Sequence, residues 1–200
     1  MRILGLTGSI GMGKSTAASM LRRMRIPVHC ADEVVHELLG TGGGAVAAVA
    51  KLYPAAFEKK TNSIDRTVLG KAVFQDAGLM ARLEAILHPL VRQKEFKFLQ
   101  KCRALRKPLV VLDIPLLFET KGEKRVHQVI VVSAPAFIQR QRVLSRSGMS
   151  PEKFQAILNR QMPDAQKRNR ADMVIATGLG HAVTFAQLQK FIHKNEYPTK

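Results

Sequence analysis

Two hundred residues, 46% of them hydrophobic, are enough for one α/β domain with insertions and a sizeable core. No apolar run approaches the length needed to cross a bilayer. Cys30 and Cys102 are too few and too far apart for a metal knuckle or a disulfide framework. The expectation is a soluble protein of a reducing compartment, the cytoplasm. The formal net charge of +17 allows nucleic acid or a small polyanion as partner. With no Trp, two Tyr and no aromatic residues interleaved among the basic clusters, nucleic acid ranks below a small polyanion or a bias spread over solvated faces.

The chain enters the apolar run Ile3-Leu4-Gly5-Leu6 at once, which leaves no room for a signal peptide. After this first predicted strand comes Gly8-Ser9-Ile10-Gly11-Met12-Gly13-Lys14-Ser15-Thr16, a complete G-x-x-x-x-G-K-[ST] phosphate loop. Ala17-Ala18-Ser19-Met20-Leu21 then supplies the helix that the motif requires. Glycines let successive N–H groups turn inward with no Cβ in the way, forming an anion cradle at the helix N-terminus. Gly11, Met12, Gly13, Lys14, Ser15 and Thr16 are therefore expected to bind a nucleoside triphosphate. Lys14 would reach the β- and γ-phosphates, and the Ser15 hydroxyl would ligate Mg²⁺.

Residues 27–30 read as a second strand and 31–39 as its helix, which Gly40-Thr41-Gly42-Gly43-Gly44 breaks. Residues 45–106 are helical in pattern and strand-poor, as a subdomain covering a substrate would be. Apolar runs at 108–113, 129–132 and 173–176 have the character of buried parallel strands. Helices are expected at 137–146, at 151–161 behind Ser150-Pro151-Glu152, and at 181–193. Five strands alternating with helices give an α/β fold with a parallel sheet covered on both faces. The expected organisation is a single domain. Its core is about 1–40, 107–135 and 171–200, with a helical insertion at about 41–106 and a lid at about 136–170.

Ligands of such a sheet gather beyond the carboxyl ends of the strands, which nominates Asp32 and Asp113. On the residues alone Asp32 is either the group that positions an acceptor hydroxyl or an ordinary helix N-cap. Asp113 can hold a metal or its water. Glu119 either orients the acceptor or is a surface-loop acid. Gln139, Arg142 and Arg146 share one helix face, with Phe137, Val143 and Leu144 mainly away from it; such a stripe suits a phosphate-clamping lid or a solvated face. His88 precedes Pro89 at a helix junction, where a structural hydrogen bond is the common role. Cys30 reads as a small filler at a strand end. Lys167, Arg168 and Arg170 either reach the nucleotide or stay in water.

Together these segments resemble the dephospho-coenzyme A kinase family over nearly the whole length. The matching pieces are Gly5 to Thr16, Ala31-Asp32, Ile64-Asp65-Arg66, Leu87-His88-Pro89-Leu90-Val91 and Asp113-Ile114-Pro115-Leu116-Leu117-Phe118-Glu119. The Gln139/Arg142/Arg146 stripe, Gln161, Lys167 and Ala171-Asp172 follow in order. The resemblance implies a P-loop kinase fold like that of the nucleoside monophosphate kinases, with a helical coenzyme A subdomain and a lid. It implies transfer of the ATP γ-phosphate to the ribose 3′-hydroxyl of dephospho-coenzyme A, the last step of coenzyme A biosynthesis.

The resemblance also makes Lys14, Asp32 and Arg142 catalytic, and Arg142 and Arg146 ligands of ATP. Ser15 and Asp113 become holders of Mg²⁺, and Asp32, Arg66, His88 and Glu119 acceptor-binding residues. The expected partners are ATP and dephospho-coenzyme A, with no membrane and with the chain a monomer or small homo-oligomer. Two positions depart from the family pattern. Cys30 replaces the first acid of Asp-Ala-Asp, and Thr177 stands where an Asn is expected after the last strand. The competing readings are a kinase of another small metabolite and a nucleic-acid-stimulated ATPase with salt-dependent binding.

Overall fold

The computed structural model describes residues 1–196. β1 (Arg2–Thr7) runs into the phosphate loop, and α1 (Lys14–Arg23) begins after Gly13, whose φ of 87° is left-handed. Arg22 and Arg23 in the last turn of α1 complement the helix dipole. β2 (Val28–Cys30) leads directly into α2 (Ala31–Leu39), which stops at the glycine run. α3 (Val46–Leu52) follows, then a small hairpin of β3 (Phe57–Glu58) and β4 (Ser63–Ile64).

α4 (Arg66–Gln75) is capped by Asp65, whose Oδ1 accepts from Thr67 N at 2.7 Å and Val68 N at 3.1 Å. α5 (Ala77–Ala104) starts with Asp76 Oδ1 accepting from Leu79 N at 2.9 Å. β5 (Leu109–Asp113) is buried at every position, and β6 (Gln128–Ser133) at all but its first. α6 (Ala136–Leu144) and α7 (Pro151–Asn159) come next. Ser150 caps α7 by accepting from Lys153 N at 3.3 Å, and its hydroxyl holds the Glu152 carboxyl below its ordinary range. α8 (Asp164–Asn169), β7 (Met173–Ala176) and α9 (His181–Glu196) complete the chain.

The main sheet has the order β2-β5-β1-β6-β7, and β3 with β4 makes a separate antiparallel pair. The central strand β1 pairs in parallel with β5 on one side and β6 on the other, and β6 pairs in parallel with β7. The register sets Leu6 opposite Asp113, so the last residue of β5 stands beside the end of β1 where the phosphate loop leaves. That is the switch point at which an open parallel sheet binds its ligand.

Two compact units form: Met1–His29 with the chain from Cys102 onward, and Cys30–Lys101. The first has a core of Leu4, Leu6, Leu21, Val111, Ile130 and Val132, closed by Leu188 and Ile192 of α9. The second has its own core, in which Val34 and Leu38 of α2 pack with Val49, Leu69, Leu83 and Leu87.

The five expected strands are all present. The β3–β4 hairpin was not anticipated, because two residues per strand carry no period. α8 was likewise missed. The helix junction expected at His88 is absent: α5 runs unbroken with Pro89 inside it. The proline removes one backbone donor from a long helix whose buried Leu79, Leu83 and Leu87 hold it in place.

Candidate active site

The phosphate loop is held from outside by its carbonyls. Gln139 of α6 donates its amide to Ile10 O at 2.8 Å, and Thr177 donates its hydroxyl to Met12 O at 2.8 Å. Arg142 reaches Gly11 O at 3.5 Å. The Ile10 N–H is taken by Gln161 Oε1 at 3.0 Å, and Met12 N donates to Ser9 O at 3.1 Å. Met12 itself is buried, its sulfur accepting from Ala134 N at 3.1 Å. Ala17 N donates to Gly13 O, and the N–H groups of the first turn of α1 point toward the phosphate loop's end of the helix. Those donors at a dipole's positive end form an anion site.

Gly8 and Gly11 keep this loop close to its supports. A Cβ on Gly8 would lie 2.5 Å from Val132 Cγ2 and 2.8 Å from Val132 O, and one on Gly11 would lie 2.5 Å from Val143 Cγ2. Gly11, with φ of 76°, also needs the left-handed region.

Beside the loop, Lys14 Nζ lies 2.8 Å from Asp113 Oδ1. The Asp113 side chain is only 2% exposed and that of Lys14 12%. The buried carboxylate fixes the lysine ammonium beside the phosphate loop by a charge-assisted hydrogen bond. Ser15, exposed in the first turn of α1, and Asp113 both offer hard oxygen donors.

Arg142 is half-buried and forks onto Thr177: Nη2 donates to the carbonyl at 2.7 Å and Nη1 to Oγ1 at 3.1 Å. The stripe read on α6 is only partly polar and outward. Gln139 is buried through its bond to the loop, whereas Phe137, expected away from the polar face, is 72% exposed. Arg146 lies exposed just past the end of α6.

Lys167 satisfies neither expectation made for it. It is fully buried, with Nζ 2.9 Å from Glu119 Oε1 and 3.4 Å from Pro115 O. Glu119 is no surface-loop acid either. Its Oε1 also accepts from Met162 N at 2.7 Å, while Oε2 is buried with no hydrogen bond. Pro115 O accepts from Thr7 Oγ1 at 2.9 Å as well, tying the end of β1 to the segment after β5. Arg170 pairs with Glu123 at 2.7 Å and lies 4.7 Å over the Phe118 ring, while Arg168 is exposed.

The second unit holds the other expected residues. Asp32 is exposed in the first turn of α2, one residue inside the helix; the N-cap is Cys30, which makes no side-chain cap bond. His36, one turn further along α2, faces Arg66 at 2.8 Å between Nδ1 and Nη1. His88 is exposed on α5. The structure thus gathers Lys14, Asp113, Arg142 and the loop in one unit, and Asp32, Arg66 and His88 in the other.

Sequence reasoning did not find His36 as the partner of Arg66, nor the loop-bracing roles of Gln139 and Gln161. Their partners are far along the chain, and no local pattern signals such contacts.

The sequence model of the dephospho-CoA kinase family matches residues 2–180. The dephospho-CoA kinase of Paramagnetospirillum magneticum is 59% identical over 168 residues, covering 84% of this chain and 78% of that protein. The dephospho-CoA kinase of Rhodospirillum rubrum is 55% identical over 178 residues, covering 89% of this chain and 84% of that protein. Among solved structures, TT1252 from Thermus thermophilus is 35% identical with a TM-score of 0.82, each chain covered to 96%.

Proposed function

The chain belongs to the dephospho-CoA kinase family, and from that premise we propose how its residues divide the work of the reaction. It is a kinase that transfers the γ-phosphate of ATP to dephospho-CoA, giving CoA and ADP. The acceptor oxygen is the ribose 3′-hydroxyl. That oxygen forms a bond to the γ-phosphorus as the bond to the β–γ bridging oxygen breaks, and ADP leaves with the electron pair.

The observation that carries the division of roles is the Lys14–Asp113 pair at the mouth of the braced phosphate loop. In this reading the first-turn N–H groups of α1 take the phosphates, and Lys14 leaves Asp113 in part to reach the β- and γ-oxygens. Arg142, with Arg146 behind it, neutralises charge that grows in the transition state. Asp32 accepts the proton of the 3′-hydroxyl or orients it. Arg66, His88 and Glu119 bind the acceptor, with His36 fixing the Arg66 guanidinium.

Mg²⁺ fits the donors available: a hydroxyl at Ser15 and a carboxylate at Asp113 are hard oxygens, and this ion is ordinarily completed by substrate phosphates and water. When bound it neutralises charge on the phosphate oxygens.

We assign most of the acceptor binding to the helical insertion at about 41–106 and the lid to about 136–170, within one P-loop kinase domain, with Asp32 and Glu119 contributing from outside the insertion. The cytoplasm is the proposed location, supported by membership of a family that acts on ATP and dephospho-CoA; among the described residues no helix is long and apolar enough to cross a membrane. The chain acts as a monomer or small homo-oligomer, since every proposed role falls to one copy. The test is Mg·ATP consumption with and without dephospho-CoA, with the mass of the product measured. Acceptor-dependent turnover with a gain of one phosphoryl group is expected. ATP binding without it would require another acceptor.

A further inference from the structure

Thr177 follows β7 and is 6% exposed, and it touches both halves of the phosphate-handling machinery at once. Its hydroxyl has one proton. The shorter of the two contacts to carbonyls, 2.8 Å to Met12 O against 3.3 Å to Ser133 O, shows where that proton goes. The lone pairs then accept from Arg142 Nη1 at 3.1 Å, while the Thr177 carbonyl accepts from Nη2 at 2.7 Å. Thr177 N in turn donates to Ser133 O at 2.9 Å, which fixes the residue to the end of β6.

The same side chain also packs against the loop's second left-handed glycine. A Cβ on Gly13 would come within 3.1 Å of both Thr177 Cβ and Oγ1. One side chain therefore carries a hydrogen-bond relay from the loop carbonyl at Met12 to the guanidinium of Arg142. A guanidinium held by two acceptors in a fork keeps one orientation, and a threonine whose own hydroxyl is already committed gives it a fixed partner.

We infer that Thr177 is a positioning residue for phosphoryl transfer: it aims the Arg142 guanidinium and locks it to the phosphate loop. The inference rests on the reading that Arg142 acts in the transition state. A buried hydroxyl that served packing alone would be replaced without kinetic consequence by valine, which has the same shape.

The experiment is a double-mutant cycle of Thr177→Val and Arg142→Ala, with Thr177→Ser alongside, measuring kcat, KM for ATP and the thermal midpoint. Thr177→Val should lower kcat about tenfold, the loss of one hydrogen bond to a charged group, with Thr177→Ser within about twofold of the parent. In the Arg142→Ala background the valine should cost less than about twofold more, because residues acting as a unit are not additive.

Parent-like kcat in Thr177→Val, equal impairment in Thr177→Ser, or a full tenfold loss added on top of Arg142→Ala would each overturn the role. If Thr177→Val does not fold, Thr177→Ser and Arg142→Lys decide. The serine should retain activity, and the lysine, which cannot fork onto both Thr177 oxygens, should lose about tenfold in kcat. A parent-like kcat in Arg142→Ala would overturn the underlying reading of Arg142. A slow Arg142→Ala with an unaffected Thr177→Val would overturn this inference alone.

Discussion

Lys167 and Glu119 form an ion pair of 2.9 Å in which the lysine side chain has no solvent exposure and the glutamate 18%. The lysine comes from α8 and the glutamate from the segment after β5, so the pair joins α8 to that segment. A buried charge without its partner is far more costly than the intact pair is favourable. Lys167→Met should therefore destabilise the protein by about 3 kcal/mol. The double variant Lys167→Met/Glu119→Gln should recover part of that loss. Urea denaturation of the parent, the single and the double variants reads both outcomes; equal stability of parent and single variant would refute the argument.

Asp32 stands inside the first turn of α2, whose N-cap is Cys30. Asp32→Asn keeps the shape and removes the carboxylate proposed to accept or orient the acceptor proton. A fall in kcat of at least about a hundredfold is expected, with KM for ATP little changed. Turnover close to that of the parent would remove Asp32 from the chemistry.

Asp113 holds Lys14 and is assigned to Mg²⁺, so one substitution should disturb both. Asp113→Asn should raise the Mg²⁺ concentration needed for half-maximal rate, because a carboxylate donor becomes a neutral amide. Titrating Mg²⁺ at saturating ATP tests this. An unchanged midpoint would leave Asp113 only as the anchor of Lys14.

If Arg142 neutralises transition-state charge as proposed, Arg142→Ala should lower kcat by about a hundredfold or more and shift the acceptor KM much less. A change confined to the acceptor KM would make Arg142 a ground-state binding residue.

Gly8→Ala probes the loop's closest packing. The new Cβ would lie 2.8 Å from a backbone oxygen, Val132 O, which cannot swing aside as a side chain does. A destabilisation of about 2 kcal/mol is expected, with weakened ATP binding. Thermal melting with and without nucleotide separates the two effects.

The elements that formed as expected were those with strong local signals. β1, β5, β6 and β7 are continuous apolar runs, and Gly40 to Gly44 stops α2 where composition says it should. Pro89 misled because proline ordinarily ends a helix, whereas here the packed leucines on either side outweigh one missing hydrogen bond. Lys167 misled because a lysine is ordinarily solvated, and its acid lies far away along the chain. The phosphate loop was legible from nine consecutive residues. What braces it was not, since Gln139, Gln161 and Thr177 reveal their purpose only once the sheet has brought them to the loop.

That bracing has a consequence for how the chain is made. The carbonyls of Ile10, Gly11 and Met12 are bound by side chains 129, 131 and 165 positions downstream. During synthesis the loop leaves the ribosome before any of these side chains, and the last of the three arrives only with Thr177. The loop is thus translated well before the side chains that finish it. A nascent chain cut short of β7 would carry the whole motif and lack the brace that holds it in shape.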